Sequence, residues 1–64
     1  MKWIDTREIG IALADTHPDV DPTRINFVDL RNKVLALPDF DDDPNRSGEK
    51  VLEAIQAAWI EERE

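Results

Sequence analysis

Four prolines, at positions 18, 22, 38 and 44, constrain the fold of this 64-residue chain more than any other feature. A proline interrupts the hydrogen bonding of a helix interior and moves the residue before it away from helical dihedrals. A first helix must therefore end near His17, and a second, over about 26–37, must end before Pro38. The run "PDVDP" at 18–22 is typical of a turn. The prolines thus leave three helical segments, the last of which begins near Glu49.

Apolar residues recur at helical spacing in all three segments. The stripes are Ile9, Ala12 and Leu13, then Leu30, Val34 and Leu37, and finally Val51, Leu52, Ile55, Ala58 and Trp59. The run "RINF" at 24–27 is partly β-prone and is either a small strand or an extended lead-in. We therefore predict a single domain over residues 1–64 that is mainly α. Its three helices form a small bundle or a winged-helix-like arrangement, with room for a minimal β element.

The first helix carries a strong start signal. Asp5 is the predicted N-cap, and Glu8, three residues later, completes a capping box. Ile4 and Ile9 have the spacing of a hydrophobic staple across that cap. Gly10 costs this helix up to about 1 kcal/mol relative to alanine, and close approach by another element would explain its presence.

The size and composition of the chain argue against an enzyme. A domain this small buries only about 60% of its unfolded surface and leaves little room for a ligand cavity. Ser47 is the only serine, nothing marks it as activated, and no glycine-rich phosphate loop is present. The sequence has no cysteine, no signal-peptide pattern and no apolar run long enough to span a membrane. We expect a cytoplasmic monomer without a tightly bound cofactor.

The charge balance points to the class of partner. Fifteen Asp and Glu residues against eight Lys and Arg residues give a formal charge of −7. Because phosphates and anionic lipids repel such a chain, neither nucleic acid nor a membrane is an expected partner. A basic protein surface or a hard cation is the better match.

The stretch "LPDFDDDP" at 37–44 concentrates this charge. Asp39, Asp41, Asp42 and Asp43 surround Phe40, which is expected to pack inward and hold the segment in place. Carboxylate oxygens suit calcium, magnesium, manganese or iron. An EF-hand starting at Asp39 would need glycine where the chain has Pro44 and glutamate where it has Lys50, so this is not an EF-hand. Two interpretations remain open, a weak carboxylate-only cation site and a solvated loop between helices.

His17 offers a less favoured metal site. It lies near Asp15, Asp19 and Asp21 in the sequence, and imidazole suits iron or zinc. A single histidine at a helix end is more commonly a favourable charge or a hydrogen-bond donor there.

Four motifs together resemble the IscX family, also called YfhJ, of bacterial iron–sulphur cluster assembly. They are "WIDTREIG" (3–10), "PDVDP" (18–22), "DFDDDP" (39–44) and "EKVLEAIQAAWIEE" (49–62). The resemblance runs from Trp3 to about Glu62 without a gap; His17 and Asn26 depart from the family's usual aromatic and arginine. It implies a winged-helix-like domain that binds the cysteine desulfurase of the assembly system. It also implies weak, exchangeable iron binding and a frataxin-like role as iron donor or rate modulator.

These considerations give the candidate residues. For partner binding they are Asp39, Asp41, Asp42, Asp43 and Glu49. For iron they are the same four aspartates, with a second acidic group that folding is expected to bring close: Asp5, Glu8, Asp19 and Asp21. The leading hypothesis is an acidic adaptor or regulator of a cysteine desulfurase, and the alternative is an iron carrier whose partner binding is secondary. A nucleic-acid-binding winged helix is disfavoured by the charge.

Overall fold

The chain forms three α-helices connected by well-anchored loops. In the computed structural model, which describes residues 1–63, α1 spans Thr6–Thr16, α2 spans Phe27–Leu35 and α3 spans Glu49–Arg63. A short 3-10 helix, Pro44–Arg46, precedes α3. Residues 1–63 contain no strand; Arg24 lies in a bend, and Asn26 is extended immediately before α2. The mainly helical prediction is confirmed, and the winged-helix-like arrangement stays a prediction.

The helix ends follow the prolines and caps of the sequence. Helix α1 stops at Thr16, with His17 as its C-cap immediately before Pro18. Helix α2 begins after Asn26, whose side-chain oxygen accepts a hydrogen bond from the Asp29 backbone N–H at 2.8 Å. It ends at Leu35, two residues earlier than the pattern predicted.

The predicted capping box and hydrophobic staple of α1 are wrong. Asp5 occupies the N-cap position, but its side chain makes no hydrogen bond to the helix. The carboxylate instead accepts from the backbone N–H of Lys2 at 2.9 Å. Ile9 is fully buried, whereas Ile4 is 84% exposed, so the two do not pack together across the cap. Residues 2–5 therefore do not have the predicted cap geometry and form a turn of their own. This turn lies next to the candidate site.

The core is built from the predicted stripes together with the first tryptophan. Helix α1 packs most extensively on α3, and α2 makes smaller contacts with both of these helices. The Cβ of an alanine at position 10 would lie 2.7 Å from the Ala58 Cβ and 2.9 Å from the Trp59 backbone nitrogen. Gly10 thus lies where α1 and α3 approach each other closely, which is the reason predicted for a glycine in this helix. The buried hydrophobic residues are Trp3, Ile9, Leu13, Leu30, Val34, Leu37, Leu52, Ile55 and Trp59.

None of the helices within residues 1–63 combines the length and the apolar character needed to cross a membrane.

Candidate interaction surface

The segment Asp39–Asp43, called the acidic loop below, is hydrogen-bonded to the first residues of the chain. The Met1 amino group donates to the Asp39 carbonyl at 2.6 Å, and the Asp41 N–H donates to the Met1 carbonyl at 2.8 Å. Lys2 Nζ donates to the Asp41 carbonyl and lies 3.7 Å from the Asp41 carboxylate. Because these bonds join residues 38 to 40 positions apart, the backbone of the loop is fixed by tertiary contacts.

Trp3 anchors the same loop with both its backbone and its side chain. Its backbone N–H donates to Asp42 Oδ2 at 3.0 Å, and its indole Nε1 donates to the Asp43 carbonyl at 2.7 Å. The ring, which is 2% exposed, meets Phe40 edge-on with 4.6 Å between centroids. Phe40 is half-buried against the core, which confirms the prediction that it packs inward.

Arg31 of α2 holds the segment that follows the loop. Its Nε and Nη2 donate to the Pro44 carbonyl at 3.2 and 2.9 Å, and Nε also reaches Ser47 Oγ at 3.1 Å. Asp43 caps the 3-10 helix, since its carboxylate accepts from the Asn45 N–H at 2.9 Å. Residues 1–3 therefore hold the acidic loop along its length, from Asp39 to Asp43, and Arg31 of α2 holds the segment that follows it.

The four aspartates of the loop divide into two kinds. Asp42 is half-buried, and its carboxylate accepts from the N–H groups of Trp3 and Asp43, which hold its pKa below the usual value of 3.8. One Asp43 oxygen is used in the 3-10 cap. Asp39 and Asp41 are exposed, the Asp41 side chain to 93%. The carboxylates of Asp42 and Asp43 thus help to fix the shape of the loop, and Asp39, Asp41 and Asp43 are exposed to solvent.

Of the other predicted site residues, Asp5 is connected to this loop through Lys2. Asp5 and Asp41 both contact Lys2, one through its backbone N–H and the other through its ammonium group. Glu49 is exposed at the start of α3, beyond the 3-10 helix, and Glu8 is exposed in the first turn of α1. Folding therefore adds Asp5 to the acidic loop, although the two are far apart in sequence.

Asp19 and Asp21 lie at the other end of α1 from Asp5 and Glu8, and the eleven residues of this helix span about 16 Å. Asp21 accepts from the hydroxyl and the N–H of Thr23, at 2.6 and 3.0 Å. These bonds, the hydroxyl first, lower its pKa, with smaller contributions from Arg63 and Arg24 at 3.4 and 3.8 Å. Asp21 therefore ties the turn after α1 to the end of α3.

No three His, Cys, Asp or Glu side chains within residues 1–63 are grouped so that they could hold a metal ion. His17 is half-buried at the end of α1, with its ring 6.5 Å from that of Trp59. Binding of iron to the predicted carboxylates stays a prediction.

Sequence patterns do not identify Lys2, Trp3 and Arg31 as residues that hold the acidic loop. One available signal was Trp3 itself, because a tryptophan that is buried usually needs an acceptor for its indole N–H. The acceptor is a backbone carbonyl 40 positions away, and sequence spacing does not reveal such a pairing.

Comparison with known proteins agrees with the motif resemblance. A family model described as iron-sulphur cluster assembly matches residues 1–64. An uncharacterized protein of Pseudomonas aeruginosa is 66% identical over 64 residues, which cover all of this chain and 97% of that relative. The chain therefore belongs to the IscX (YfhJ) family of iron–sulphur cluster assembly proteins.

Proposed function

We propose that this protein is a cytoplasmic, non-enzymatic adaptor or regulator that binds the cysteine desulfurase of the cluster-assembly system. The acidic loop is the proposed contact, with Glu49 at its border and iron as a weak second ligand. The observation that carries this proposal is the anchoring of the loop by residues 1–3 and by Arg31. Because the backbone of the acidic loop is already fixed, the loop loses little conformational entropy when a partner binds to its carboxylates.

The charge of the molecule supports a basic partner surface. A net charge of −7 attracts a basic protein over a long range, which raises the association rate and is screened by salt. Asp39 and Asp41 are the carboxylates with the most freedom to form such contacts, because Asp42 and Asp43 already accept hydrogen bonds within the loop.

The different roles of the four loop aspartates favour an adaptor over an iron carrier. The two exposed carboxylates that accept no hydrogen bond within the loop, Asp39 and Asp41, offer an iron ion a small part of the oxygen ligands that hard cations usually take in proteins. Iron bound there would keep most of its water ligands and exchange readily. The iron-carrier role remains the second candidate function, with the exposed carboxylates of the loop as its support.

The partner proposal is tested by NMR titration of the labelled protein with the desulfurase at low and high salt. We expect the amide resonances of the acidic loop to shift most, and the affinity to fall as salt rises. The double variant Asp39→Asn and Asp41→Asn should bind at least about 10-fold more weakly. The matched control, Asp15→Asn with Asp29→Asn, removes the same charge away from the loop and should lose much less. Equal losses in the two double variants would exclude the loop as the contact.

Iron binding is tested by titrating Fe²⁺, Ca²⁺ and Mg²⁺ against the free protein. A specific carrier predicts that Fe²⁺ perturbs the Asp39 and Asp41 resonances at a lower midpoint than the other two cations. Equal midpoints for the three cations would identify a generic anionic surface and contradict the carrier role.

A further inference from the structure

Ile4 is the most exposed large hydrophobic residue in the described part of the chain. Its exposed fraction is 84%, compared with 70% for Val28 and 38% for Ile11. Single exposed aliphatic residues are common on protein surfaces, so exposure alone has no functional meaning. The position of Ile4 relative to the acidic loop is what distinguishes it.

A tight turn over residues 2–5 determines the direction of the Ile4 side chain. The Asp5 N–H donates to the Lys2 carbonyl at 2.9 Å, and the Lys2 N–H donates to the Asp5 carboxylate at 2.9 Å. Within this turn Trp3 is buried and bound to Asp42 and Asp43, whereas Ile4 is left outside. The turn therefore leaves an exposed aliphatic side chain next in the chain to Trp3, the residue that is bound to the acidic loop.

We infer that Ile4 is an apolar anchor through which the protein docks on the cysteine desulfurase, in an apolar pocket with a basic rim. This inference rests on the proposed function and specifies the partner surface. In this proposal the acidic rim consists of Asp5, next to Ile4 in the chain, and of the Asp41 and Asp42 carboxylates, which Lys2 and Trp3 contact. Charge complementarity requires basic groups around the pocket that receives the isoleucine.

The anchor and the rim make different contributions to binding. Interfaces commonly draw most of their affinity from a few central side chains that become fully desolvated, within a polar rim that excludes water. Rim charges act mainly on the association rate, whereas a buried anchor acts mainly on the dissociation rate. Because hydrogen bonds already fix the turn on both sides of Ile4, the anchor is also preorganised.

The inference is tested with Ile4→Ala, Ile4→Leu and Val28→Ala, measured by stopped-flow and equilibrium binding to the desulfurase. Ile4→Ala should weaken binding at least about 10-fold, because several buried carbon atoms are lost. The loss should appear in the dissociation rate, with the association rate and its salt dependence unchanged. Ile4→Leu should restore most of the affinity. Val28→Ala, at the other strongly exposed aliphatic residue, should bind as the wild type does.

The possible outcomes separate this inference from the proposed function. If Ile4→Ala binds like the wild type while Asp39→Asn with Asp41→Asn does not, the anchor is excluded and the acidic contact remains. If the wild type does not bind the desulfurase, both proposals fail. If sedimentation shows a wild-type dimer that Ile4→Ala dissociates while desulfurase binding is unchanged, the occupant is a second copy of the chain and the inference is overturned.

Discussion

Gly10 is a residue at which the backbones of α1 and α3 leave no room for a side chain. An added Cβ would lie 2.7, 2.8 and 2.9 Å from atoms of Ala58 and Trp59, two of them backbone atoms that cannot rotate away. We expect Gly10→Ala to lower the free energy of unfolding by about 1–3 kcal/mol, because overpacking outweighs the gain in helix propensity. Urea denaturation measures this change. The matched control is Gly48→Ala, where nothing lies within 4 Å; its effect should be below about 1 kcal/mol. An equally large loss there would contradict the steric explanation.

The Asp42 carboxylate gives the acidic loop a dependence on pH. The N–H groups of Trp3 and then Asp43 hold its pKa below 3.8 in the folded state. A lowered folded-state pKa contributes stability above the unfolded value, and this contribution disappears as pH falls below about 4. Asp42→Asn should therefore be less stable than the wild type at neutral pH and should lose stability less steeply on acidification, as measured by thermal unfolding at a series of pH values. Asp15→Asn, at an exposed residue of α1, should keep the acid profile of the wild type; a wild-type profile in Asp42→Asn would contradict this role.

At the scale of elements, the helices were predictable and the anchoring of the loop was not. Helix boundaries depend on local signals such as Pro18, Pro38 and the Asn26 cap, all of which the sequence displays. Ile4 does not pack on Ile9 because of a tertiary contact. Trp3 is buried and bound to Asp43, 40 positions away, and this contact fixes the backbone before α1 so that Ile4 is exposed. Periodicity carries no information about such a contact, so the acidic loop was identified from the sequence but its supports were not.

Arg31 connects α2 to the segment after the acidic loop. Its guanidinium group donates to the Pro44 carbonyl through two nitrogens and to Ser47, a planar arrangement that lysine does not reproduce. We expect Arg31→Met to accelerate amide hydrogen exchange in the acidic loop and the 3-10 helix and to cost about 1–2 kcal/mol of stability. Arg31→Lys should not restore protection.

The control for this prediction is Lys33→Met on the same helix. It removes one positive charge, as Arg31→Met does, and should leave exchange in the loop at the wild-type rate. Equal acceleration in both variants would assign the effect to net charge and contradict a specific anchoring role for Arg31.

At the scale of the whole molecule, repulsion between like charges opposes folding. The net charge is −7, and the ion pairs within residues 1–63 are few: Lys2–Asp41, and Arg24 and Arg63 with Asp21. All three involve exposed side chains, for which typical contributions are below about 1 kcal/mol. The acidic surface that we propose as the contact for a basic partner therefore lowers the stability of the free protein, and both effects depend on ionic strength.

This balance predicts opposite salt effects on folding and on binding. Raising NaCl from about 10 mM to about 300 mM should raise the Tm by several degrees, since screening shortens the range of the repulsion. Over the same range the affinity for the desulfurase should fall. The double variant Asp15→Asn with Asp29→Asn has a net charge of −5 (−7 + 2), and its Tm should rise less with salt. A Tm that falls with NaCl would mean that the ion pairs at Asp21 and Asp41 contribute more to stability than the repulsion removes, and would contradict the claim that repulsion opposes folding.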